Sequence, residues 1–286
     1  MGRYHRVVSK CQMWRPGWKQ VLAVWAATCV LAAAQAQGVV ITQLEGEATV
    51  TDGVRRTSAL VGQRLGAGAL VETGAKTNLL RLEWPDAAVV DLGPASQVMV
   101  SPPGFRARGG RAPSVYLLQG WAKVTGQSSA PAGGLVTPQF ELMPIGGAVV
   151  VFVGAREQQV FAESGAVDLG LRPAGKQRGI APGALFNGDG PLLARPPADW
   201  LQRVPRAFRD PIPRRAAQLK DRTADASVLP PPTYVELSPW LAAEPDVRRD
   251  FPRRFAALAQ DPAFRRGLQQ RLSSHPEWAS VLNPSK

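Results

Sequence analysis

The stretch from Val39 to Phe186 constrains the fold more than anything else in this chain. Short apolar runs are closed again and again by Gly, Pro, Asp or Asn, and no helix-period segment interrupts them. In Leu80-Arg81-Leu82-Glu83-Trp84 the apolar side chains alternate, which places Leu80, Leu82 and Trp84 on one face of a strand. Further candidate strands are Ala48–Thr51, Ala69–Thr73, Ala88–Leu92, Gln97–Val100, Val115–Leu118, Trp121–Val124, Gln139–Leu142, Val149–Val153, Gln159–Ala162 and Val167–Leu171. Their spacing, roughly 8–12 residues, is that of all-β folds. Val149–Val153 is apolar on both faces and is expected to be a central strand. The expected fold class is therefore mainly β, an elongated β stack followed by a small α-helical C-terminal unit.

Beyond Phe186 the composition changes. Asn187-Gly188-Asp189-Gly190-Pro191 is a turn cluster, and Arg195-Pro196-Pro197 ends the β region. Residues 196–232 read as a basic, Pro-rich linker with short helices, in which Asp199 is placed to cap a helix through Trp200, Leu201 and Val204. Residues 233–286 are helical in character. Ser238-Pro239 and Asp261-Pro262 each pair an N-cap residue with a proline at the first helical position. Phe251, Phe255 and Leu258 recur at helical spacing, as do Phe264, Leu268 and Leu272. A unit this small cannot bury those side chains alone, so it is expected to dock on the β domain or on a partner.

The first 36 residues read as a signal peptide. Arg3, Arg6, Lys10, Arg15 and Lys19 precede an apolar run, Val21 to Ala34, and Ala34-Gln35-Ala36 fits a signal-peptidase site, with cleavage between Ala36 and Gln37. The run is shorter than the roughly 20 residues of a spanning helix, which favours cleavage over an uncleaved anchor. The expected location is the periplasm, with no transmembrane helix after processing and a β domain over 37–195.

Processing would change which chemistry is open to the chain. Cys11 and Cys29, its two cysteines, both lie in the leader, which excludes thiol catalysis and cysteine metal sites from the mature part. The leader's five basic residues take the formal charge from +12 to +7, and much of what is left sits C-terminally, as in Arg203 to Arg222. That stretch could meet anionic lipid or an acidic partner, or be an ordinary solvated surface. Nucleic acid is not an expected partner of an exported chain. His275, the histidine that survives processing, precedes Pro276 and is expected to cap or pack. No G-x-S-x-G elbow, P-loop or metal-ligand spacing is present, so no catalytic residue, cofactor or metal is expected. Acidic pairs such as Glu45/Glu47 and Asp86/Asp91 leave open one enzymatic alternative, carboxylate catalysis on envelope polysaccharide.

The β region resembles the FecR domain. The resemblance runs through Leu44-Glu45-Gly46, then Gly62, Leu65, Gly68, Val71 and Thr73-Gly74, then Leu80, Leu82, Asp86, Val89, Leu92, Pro94 and Ser96. Leu117, Gly120, Val124 and Val136-Thr137-Pro138 follow, and the ending is Gly147–Val153 with Val160 to Val167. Ala148 stands where the family prefers Thr, and Trp84-Pro85-Asp86 carries Pro where a Gly-containing turn is usual. The resemblance implies a periplasmic sensing domain. Only about twenty residues precede the apolar run, too few for the cytoplasmic, sigma-regulating domain that the family's regulators carry, so a binding role is expected without sigma-factor control.

The expected function is thus a non-catalytic binding or sensing module whose partner is an envelope protein, a receptor or sensor, or else peptidoglycan or lipopolysaccharide. A self-associating structural component is a further alternative. The candidate interface is Trp240, Phe251, Phe255, Phe264, Arg265, Arg266 and Trp278, because aromatic residues and arginine dominate protein interfaces.

Overall fold

The computed structural model describes Gly2 and residues 38–85, 88–105, 113–142, 145–172, 175–188, 190–219 and 224–283. The expected leader, with its cleavage site Ala36-Gln37, lies outside the described residues, as does Asp86. Residues 38–286 belong to one unit.

Seventeen strands occur among the described residues: β1 (Val39–Glu45), β2 (Ala48–Asp52), β3 (Arg55–Ser58), β4 (Arg64–Leu65), β5 (Leu70–Thr73), β6 (Leu79–Glu83), β7 (Val89–Leu92), β8 (Gln97–Val100), β9 (Val115–Thr125), β10 (Leu135–Val136), β11 (Phe140–Leu142), β12 (Ala148–Val153), β13 (Gln158–Ser164), β14 (Val167–Leu171), β15 (Gln177–Ile180), β16 (Leu185–Asn187) and β17 (Val228–Leu229). Their pairings are antiparallel except for β10 beside β9. The first sheet runs β4-β1-β6-β7-β9-β12-β13-β16. The second runs β17-β3-β2-β5-β8-β9-β10-β11-β14-β15.

Strand β9 belongs to both sheets, and Gly120 is the reason. Val115 and Leu117 face the core from the second sheet, whereas Ala122 and Val124 face it from the first. Leu118 is skipped in the pairing with β8, a bulge that shifts the alternation, and Gly120 follows at φ +96°. A Cβ at Gly120 would come within 2.4 Å of Ser96 Cα, so only glycine fits this corner. The sequence reading broke this strand into two at the same place.

Between the sheets lies one apolar core that includes Ile41, Leu80, Leu82, Val149 and Val151 from the first sheet and Val50, Val71, Val98, Leu135, Phe140 and Leu169 from the second. Both outer faces are covered as well. Leu79, Trp121, Val150 and Leu185 of the first sheet pack against Trp200, Val204 and Phe208. Leu70, Met99, Tyr116 and Val136 of the second pack against the C-terminal helices.

The cover of the first sheet is the stretch expected as a linker. Helix α1 (Ala198–Arg203) opens it; its N-cap is Pro197 and no side chain caps it, so Asp199 sits in the first turn rather than at the cap as expected. The chain then crosses the sheet as a strap held by its backbone. Lys123 Nζ donates to the Phe208 carbonyl at 2.6 Å, and Arg81 Nη1 donates to the Ile212 carbonyl at 2.6 Å. Buried Glu83 accepts from the Arg215 and Ala216 amides and from Thr42 Oγ1. Arg81 also grips Asp91 with two hydrogen bonds. A charged stripe on the sheet thus hooks peptide groups of the strap. Downstream, Val228 and Leu229 add β17 to the edge of β3.

Five α-helices follow among the described residues: α2 (Tyr234–Leu241), α3 (Pro245–Arg248), α4 (Phe251–Arg254), α5 (Pro262–Gln270) and α6 (Ala279–Leu282). Asp261 caps α5 as expected, accepting from the Ala263 and Phe264 amides. Helix α2 does not begin at Ser238-Pro239 as expected. Thr233 and Glu236 form a capping box, and Pro239 lies inside the helix. Pro239 has no N–H for the carbonyl four residues back; the Ser238 hydroxyl donates to that Val235 carbonyl at 2.8 Å instead.

Candidate functional site

Five of the seven candidate interface residues are interior. Trp240, Phe251, Phe255, Phe264 and Trp278 are at most 3% exposed and pack between the helices and the second sheet. Phe251 and Phe255 meet edge to face, and the Arg254 guanidinium lies over the Phe255 ring while donating to the Gly68 carbonyl. The Trp240 indole N–H donates to Glu72, whose carboxyl is nevertheless pushed up because burial outweighs that bond. Arg265 is engaged with the Leu282 carbonyl. Arg266 is exposed and, among the described residues, makes no hydrogen bond or ion pair.

Arg266 stands at a groove of about 700 Å³ between α2 and α5. Its construction starts at Tyr234. A Cβ at Gly267 would lie 2.4 Å from Tyr234 Cγ, so glycine on α5 is what lets the ring settle across the helix. The ring meets Phe264 edge to face at 5.9 Å, and its hydroxyl is 3.1 Å from His275 Nε2. Burial lowers the His275 pKa below its ordinary value; Arg248 lowers it further, while Glu277 opposes the shift. Burial thus favours the neutral ring, and the imidazole packs in the interior against Tyr234. Pro231, Pro232 and Leu258 add apolar lining, and Asp261 and Gln270 supply polar groups.

Val235 is the residue that sequence reasoning missed. It lines the groove and is 76% exposed, the most exposed large apolar side chain among the described residues. Thr233-Tyr234-Val235-Glu236 carried the signal: once Thr233 is the cap, Val235 falls in the first turn, turned away from buried Leu237, Trp240 and Leu241.

Of the carboxylates considered for catalysis, Asp86 lies outside the described residues. Glu45 is exposed and bonded to Gln43, Glu47 is exposed, and Asp91 is buried in its pair with Arg81. No group of three or more His, Cys, Asp or Glu comes together as a metal ion would need among the described residues. No described helix is long and apolar enough to cross a membrane.

No protein-family model matches the chain, and no curated protein matches it. Similar solved structures include two crystal structures, at 2.50 and 1.65 Å, of a candidate anti-sigma factor from Parabacteroides distasonis. Identities are 16% and 15%, and the TM-score is 0.34 for each. The match covers 43% of this chain and 57% of those chains, a partial likeness from which nothing about function follows. Among the residues of the FecR resemblance, Leu65, Val71, Leu80, Leu82, Leu92, Leu117 and Val124 are core, and Gly120 is the corner of β9.

Proposed function

We propose that this chain is a non-catalytic binding module of the bacterial envelope, and that it holds a polypeptide segment of a partner protein in the groove between α2 and α5. The observation that carries this is the pairing of exposed Val235 with unpartnered Arg266 beside an apolar, aromatic-lined groove. Apolar side chains of the segment would lie against Val235, Pro232 and Phe264, and an acidic residue would meet Arg266, whose planar donors suit a carboxylate. Export to the periplasm, as Ala34-Gln35-Ala36 suggests, sets the partner among envelope proteins.

Selection of displayed random peptides against the full chain tests it. The expected winners combine apolar residues with an acidic one, and lose enrichment on a Val235→Asp chain. No enrichment, or the same winners on both chains, would overturn the proposal.

A further inference from the structure

A second cleft, of about 670 Å³, opens between the turn preceding β6 and the strap over the first sheet, and the backbone of both walls is hydrogen-bonded in place. On the turn, Thr77 Oγ1 donates to the Glu47 carbonyl and accepts from the Glu47 amide. On the strap, the Lys123 and Arg81 hooks fix the carbonyls of Phe208 and Ile212.

The bulge in β1 between Ile41 and Gln43 sets the third side. It keeps Ile41 and Leu44 turned to the core while Gln43 and Glu45 point outward into the cleft. Two cations, Lys76 and Arg206, and two carboxylates, Glu45 and Asp210, therefore line one concavity, with apolar floor from Pro205 and Ile212.

Opposite charges free on a surface commonly pair, yet no ion pair joins these four. Among the described residues Lys76, Arg206 and Asp210 make no side-chain hydrogen bond or ion pair at all, and Glu45 accepts only from Gln43. The hydrogen bonds on both walls tie down the backbone that carries these side chains, which lowers the ordering cost of binding for that backbone. A site with separated charges of both signs is complementary to a ligand that carries both.

We propose that this cleft binds a short zwitterionic peptide, with Arg206 and Lys76 taking its carboxylate and Asp210 with Glu45 taking its ammonium group. The site is separate from the groove between α2 and α5 and stands or falls independently of it.

Titration of the full chain with di-, tri- and tetra-alanine, followed by NMR or calorimetry, tests the assignment. At least one peptide with free termini should bind. Its N-acetyl and C-amide derivatives should each bind about three to five times more weakly, the upper part of the range that an exposed ion pair supplies. Asp210→Asn should diminish the discrimination against the N-acetyl form alone, and Arg206→Gln that against the amide alone. Both side chains are exposed, so the melting temperature should not move. Failure of all three peptides to bind, equal binding of blocked and free forms, or variants that keep both discriminations would each overturn the proposal.

Discussion

Gly120 shows how one residue can decide a topology. The alternation in Val115–Leu118 and Trp121–Val124 was plain in the sequence; that the two segments are one strand shared by two sheets was not, since a glycine between β runs ordinarily marks a turn. Gly120→Ala would combine a positive φ with a Cβ 2.4 Å from Ser96 Cα. Strain of this kind is expected to cost about 3 kcal/mol in chemical denaturation; a loss below about 0.5 kcal/mol would mean that the corner relaxes. His275 makes a second prediction. Its folded pKa lies below the unfolded value, so folding favours the neutral ring. Stability is full above the unfolded pKa of about 6.5 and is lost as pH falls from there toward the folded value. Wild type should therefore lose more melting temperature between about pH 7 and pH 5.5 than His275→Gln does. Parallel pH profiles would exclude that linkage.

Among elements, the strap was hidden and the fifth helix was legible. Asp261-Pro262 marks the start of α5 by side-chain chemistry, and the structure places the cap there. The strap is held by carbonyls of Phe208 and Ile212 and by amides of Arg215 and Ala216, groups that every residue carries and no sequence pattern displays. Its basic side chains drew attention to a surface role, while the hooks lay on the sheet. The groove was half legible for a related reason: Arg266 was named as a candidate, but Val235 went unnoticed because Ser238-Pro239 masked the true cap. Glu83→Leu should cost about 2–4 kcal/mol, because it leaves the two strap amides without an acceptor. It should also speed tryptic cleavage after Arg209 and Arg214, which the strap carries. An unchanged cleavage rate would show that Glu83 does not hold the strap.

At the largest scale, the described residues from 38 onward form four layers: strap, first sheet, second sheet and helices. Alternating strands and a large apolar content predict a β region complete in itself over residues 37–195. Yet Leu70, Met99, Tyr116 and Val136 on one outer face, and Leu79, Trp121, Val150 and Leu185 on the other, are covered largely by segments beyond Leu193 among the described residues. Truncation after Pro232 should uncover the second sheet, seen as increased binding of an apolar dye and as self-association in light scattering. A monomeric truncated chain with an unchanged melting temperature would mean that the helices add nothing to the fold.

The helical layer covers the sheet with one face and forms the groove with the other, and binding at that groove is open to direct measurement. Amide hydrogen exchange of the full chain, with and without a selected peptide, reports where the peptide sits. Slowed exchange over residues 231–235 and 263–270 is the expected result. Protection confined to the strap or the sheets, with those two segments unaffected, would contradict a binding function in the groove between α2 and α5.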